Sequence, residues 1–95
     1  MHASIWKFTG DPDGLLQRYD AMLEEIPHAR MRLHLCLRAA DGIVLVDTCP
    51  TKEAFEAFAS GDDFRALRER HRLPEPRELK GFPVHRAFID GQEVQ

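Results

Sequence analysis

Apolar side chains at Leu15, Leu16, Tyr19, Met22, Leu23 and Ile26 recur three and four residues apart. That spacing lays a single stripe along a helix. Asp11 or Asp13 can cap its start, and Pro27 closes it. Ahead of it, Ala3–Gly10 is β-branched and aromatic, and predicts a first strand. After it, two alternating runs, Met31–Ala39 and Ile43–Cys49, flank Asp41-Gly42. An Asp-Gly pair between such runs predicts a hairpin, because a type I′ turn needs positive φ at both central residues.

Pro50 and Thr51 then open a second helix, with Thr51 as its N-cap and Ala54, Phe55, Phe58 and Ala59 on its apolar face. Gly61 ends it, and Asp62 can cap a short third helix carrying Phe64, Leu67 and His71. Residues 72–83 read as a proline-rich connection, residues 83–90 as the last strand and residues 91–95 as a tail. The order is βαββαβ with a helix pair in the second crossover. This predicts one α+β domain over residues 1–95, a ferredoxin-like four-stranded antiparallel sheet with its helices on one face. In so short a chain, a largely apolar second face implies a homodimer or another partner.

Composition narrows the picture only modestly. The 95 residues are 43% hydrophobic, with a net charge of −3, too acidic for a broad nucleic-acid footprint. No apolar run approaches a membrane span, and the first ten residues lack the apolar core of a signal peptide, so the expected location is cytoplasmic. Two cysteines, Cys36 and Cys49, make no disulfide framework.

The stretch from Cys49 to Phe64, CPTKEAFEAFASGDDF, resembles the strand-to-helix segment of the dimeric α+β-barrel superfamily. That superfamily includes antibiotic-biosynthesis monooxygenase-like and heme-degrading proteins. Thr51 takes the place of the family's capping Ser, Glu53-Ala54 match its Glu-Ala pair, and Phe64 matches its closing aromatic. The resemblance implies a dimeric barrel that hosts many unrelated chemistries. Cys49 stands where the family often keeps Trp, and Phe58 where it often keeps His or Trp. Arg68 occupies the position of the heme branch's ligand His, with His71 one turn further on. These departures speak against heme oxygenation, and no cofactor is expected.

A turn centred on Asp41-Gly42 would set Ala40 opposite Ile43, Cys36 opposite Asp47 and His34 opposite Cys49. One face would then carry His34, Cys36, Arg38, Leu45, Asp47 and Cys49, and the other Leu33, Leu35, Leu37, Val44, Val46 and Thr48. The second set is expected to pack on the helices, leaving the polar set for a dimer to cover. One reading makes the polar set a catalytic site, with His34 as acid/base, Asp47 orienting it, and Cys49 or Cys36 as thiolate. The plainer reading is a satisfied, half-buried cluster. Metal binding fits poorly, because the paired ligands are separated by one residue. A Cys36–Cys49 disulfide would be diagonal and strained.

Further candidates each have a structural counterpart. Trp6 and Phe58 can line a ligand pocket or fill the core; Arg68 can hold an anion or belong to a solvated charged face. His85 and Arg86 would point to opposite faces of the last strand, so only one of them can join a cavity. Tyr19 can offer its hydroxyl to a pocket or sit in the core.

Three functional readings follow. The first is a cofactor-independent monooxygenase, cyclase or isomerase acting on a small aromatic or hydrophobic metabolite, with His34 or His85 as base. The second is a non-catalytic binding or interaction module of the same fold. The third is a heme or metal protein resting on His71, His34 and the cysteines.

Overall fold

A computed structural model describes residues 1–94. Strand β1 (His2–Thr9) leads to helix α1 (Pro12–Leu23), and a single 3-10 turn at His28–Arg30 precedes the hairpin β2 (His34–Ala39) and β3 (Gly42–Cys49). Helices α2 (Lys52–Ser60) and α3 (Asp62–Arg70) follow, then β4 (Glu78–Pro83) and a two-stranded ribbon of β5 (Phe88–Ile89) and β6 (Gln92–Glu93). The first four strands form one antiparallel sheet in the order β2-β3-β1-β4. The result is an α+β architecture with a four-stranded sheet and three α-helices, compatible with a ferredoxin-like fold. Among the described residues, no helix is long and apolar enough to cross a membrane.

Local chemistry sets the helix limits. Asp11 caps α1, its carboxylate accepting from Gly14 N at 3.0 Å, and Pro12 occupies the first turn, where its missing N–H costs nothing. Thr51 caps α2 by accepting from Ala54 N at 3.0 Å. Gly61 both ends α2 and precedes α3, so Asp62 is the first helical residue and pairs with Arg65 instead of capping. Helix α1 stops at Leu23, with Glu24–Ile26 continuing as turns before Pro27.

The hairpin register differs from the sequence expectation. Ala39 pairs with Gly42, so Ala40-Asp41 form the loop, and His34 lies opposite Asp47 and Cys36 opposite Leu45. Gly42 is needed elsewhere: a Cβ there would lie 1.9 Å from the carbonyl oxygen of Phe8 on β1. The positive-φ Asp-Gly turn is instead realised at Asp90 (φ 51°) and Gly91 (φ 77°), where it joins β5 to β6. Residues expected to form the tail thus complete a hairpin. The fourth strand comes earlier than expected, because Glu78–Pro83 pair with His2–Lys7 of β1. His85 and Arg86 consequently lie past the strand and are exposed.

The two-residue shift in register keeps the face partition, but the face that meets the helices is the opposite one. Trp6, Phe8, Ile43 and Leu45 from the sheet are buried with Leu15, Tyr19 and Met22 of α1 and with Leu73. Leu35 and Leu37 point away from the helices and remain 46% and 47% exposed. β1 decides the matter. Its Trp6 and Phe8 pair with Leu45 and Ile43, so the largest apolar surface of the sheet lies on the His34–Asp47 side.

Candidate functional site

The polar set on β2 and β3 faces the helices, and one member of the α1 stripe meets it. Tyr19 Oη lies 2.7 Å from His34 Nε2, the two rings nearly parallel at 3° with centroids 6.0 Å apart. His34 Nδ1 lies 3.2 Å from Asp47 Oδ1. The carboxylate can only accept, so Nδ1 carries the proton. In the neutral ring Nε2 is then an acceptor, and the Tyr19 hydroxyl donates to it. Tyr19–His34–Asp47 is a continuous hydrogen-bonded chain running from α1 through β2 to β3.

The chain opens on a cavity of about 410 Å³ bounded by α1, the connection after it, the end of β3, and α2 with α3. Trp6, His34, Asp47, Cys49 and Phe58 all line it, together with Tyr19. The rest of the wall is almost wholly apolar, with Met22, Met31, Leu45 and Phe64 among its members. Trp6 packs edge-on against the adjoining rings of Phe58 and Phe64, at centroid distances of 6.1 and 5.3 Å, and donates its indole N–H to Ser4 Oγ at 2.9 Å. At the rim Glu25 accepts from Arg70 Nη2 at 2.5 Å and from His71 Nε2, tying the end of α1 to the end of α3. These two bonds, Arg70's the stronger, hold the Glu25 carboxyl below its usual range.

Burial, reinforced by Cys36, Asp20 and Asp47, pushes the Tyr19 phenol up to about 12. It is a neutral hydroxyl throughout the physiological range. Burial, followed by the charge of Asp47, raises the Cys49 thiol, and burial with Asp20 raises Cys36. Neither cysteine has the electropositive surroundings that generate a thiolate.

Two expected residues lie outside this cavity. Arg68 is buried and donates from Nη1 to the Leu73 carbonyl at 2.9 Å, fastening the turn after α3. It also borders a shallower hollow of about 290 Å³. His85 belongs to a separate depression formed with Met1 and Glu93. Cys49 is not across from His34: Asp47 is, and Cys49 pairs with His2 of β1. Tyr19 gains a role the sequence left open. Its signal was a single polar tip within an otherwise apolar helical stripe. Among the described residues, no three His, Cys, Asp or Glu side chains are grouped so as to hold a metal ion.

These features define a small α+β domain with a sheet-backed, largely apolar cavity and one hydrogen-bonded polar chain in its wall. The sequence matches no protein-family model and no curated protein.

Proposed function

We propose that the protein is a small-molecule enzyme of the cofactor-independent acid–base kind, of the monooxygenase, cyclase or isomerase type found on the dimeric α+β-barrel scaffold. The substrate is a small aromatic or hydrophobic metabolite held between sheet and helices. His34 is the proton acceptor, and Asp47 fixes its tautomer and balances the imidazolium that forms. The observation that carries this reading is the Tyr19–His34–Asp47 chain in the wall of an otherwise apolar cavity. In such surroundings a proton transfer is shielded from bulk water and the pair's electrostatics are strengthened. Cys49 serves as wall, since its raised thiol stays protonated.

The same proposal makes the protein a homodimer through the outer sheet face, where Leu35, Leu37 and Phe82 are each about half exposed. A second reading, a non-catalytic binding module, is favoured by one observation: both ring nitrogens of His34 already have partners.

A panel of small aromatic compounds separates the two. Binding is followed by the indole N–H signal of Trp6, the chain's single Trp, and conversion by mass spectrometry of the recovered compound. Binding with conversion supports the enzyme, binding of many compounds with no conversion supports the module, and no binding at all removes both.

A further inference from the structure

The cavity's side-chain donors can be accounted for one by one. The indole N–H of Trp6 is held by Ser4 Oγ at 2.9 Å, and the hydroxyl of Thr48 by the Leu33 carbonyl at 3.3 Å. His34 gives its Nδ1–H to Asp47, and Tyr19 gives its only proton to His34 Nε2. Apart from the weak S–H of Cys49, the lining side chains have no other donor, and no lysine or arginine is among them. Acceptors remain. The Tyr19 oxygen keeps lone-pair capacity, and Asp47, which meets His34 through Oδ1, is a carboxylate with further lone pairs.

We infer that the cavity reads hydrogen-bond donors: its ligand carries no negative charge and presents an O–H or N–H to Tyr19 or Asp47. A phenol or alcohol satisfies one of the two acceptors with its single O–H, and an amine can satisfy both. An ether or ketone of the same shape leaves both desolvated and unpaired. A carboxylate or phosphate places its charge beside Asp47 where the lining offers no lysine or arginine, the rim's Arg70 and His71 being already paired with Glu25. Tyr19 is therefore the residue that determines specificity, and His34 acts on the ligand through it by keeping its proton turned away from the cavity. The inference rests on the cavity being the ligand site, as proposed above.

The test uses three probes of one shape: naphthol, its methyl ether and naphthoate. Each is titrated into the full-length protein by calorimetry, while the Trp6 indole N–H signal reports occupancy of the cavity. Naphthol is expected to bind roughly tenfold more tightly than the ether, the effect of one buried hydrogen bond gained and one acceptor left unpaired. Naphthoate is expected to bind most weakly, and Asp47→Asn to bring it closer to naphthol. Equal or tighter binding of the ether or of naphthoate, with the Trp6 signal shifted, overturns donor selection and leaves the cavity as the site. Failure of all three to move the Trp6 signal overturns the cavity reading and this inference with it.

Discussion

Tyr19 and His34 are fifteen residues apart in the chain, on different elements, yet their rings lie within 3° of parallel and their polar atoms meet at 2.7 Å. This contact joins α1 to β2, and it converts a core position into the polar end of a cavity. Tyr19 is the only tyrosine in the chain, so its phenolate absorbance reports the contact without interference. The native protein is expected to show a single phenol ionisation with its midpoint near 12, against an ordinary value near 10 once unfolded. The folded state holds the proton more tightly, so the unfolded state binds fewer protons between those values. The stability contributed is complete below about pH 10 and falls as pH rises toward 12. A native midpoint near 10 would contradict the burial and pairing of Tyr19.

Replacing Tyr19 by Phe removes the hydroxyl and leaves His34 Nε2 without its protein partner. Chemical denaturation is expected to report a loss of about 1 kcal/mol, the net value of one partly buried hydrogen bond. The fold and the ring packing should persist. No change in stability would mean that the hydroxyl is equally well satisfied by water.

Gly42 and Gly91 give a paired test of the two turns. A Cβ at Gly42 meets the Phe8 carbonyl oxygen at 1.9 Å, whereas one at Gly91 meets nothing within 4 Å and suffers only its φ of 77°. Gly42→Ala is expected to cost about 2 kcal/mol or more, by forcing β3 away from β1. Gly91→Ala should cost about 1 kcal/mol, the left-handed penalty alone. Thermal melts of the two variants give the comparison, and equal losses would contradict the close approach of β3 to β1.

The outer face of the sheet can be tested through Leu37, which is 47% exposed in the single chain. Leu37→Lys is expected to shift the sedimenting species from twice the chain mass to the chain mass. Secondary structure should be kept, because a lysine stem tolerates that position in a monomer. A wild-type protein that sediments as a monomer at high concentration would remove the dimer from the account.

How far the sequence reaches can be judged from particular residues. Both helix caps in use, Asp11 and Thr51, were legible, because capping depends on a few neighbouring atoms. The membership of each sheet face was legible too, since alternation survives a two-residue slip in register. The register itself was not. Asp41-Gly42 and Asp90-Gly91 offer the same turn dipeptide, and the choice was made by β1, whose Phe8 carbonyl demands a glycine at position 42. Nor could alternation say which face meets the helices; that followed from Trp6 and Phe8 pairing beside Leu45 and Ile43. At the site, Trp6, His34, Asp47, Cys49 and Phe58, all candidates on sequence grounds, share one cavity. Arg68 and His85 lie elsewhere, Arg68 because α3's final turn uses its guanidinium and His85 because β4 ends before it.

The most direct measurement of the central claim is the rate at which the protein exchanges or converts a ligand that occupies the cavity, compared between wild type and His34→Ala. If His34 is the proton acceptor, the variant should keep affinity within a few-fold and lose about a hundred- to ten-thousandfold in turnover, the usual contribution of a positioned general base. Unchanged turnover in His34→Ala, with the ligand still bound beside Trp6, would contradict the assignment.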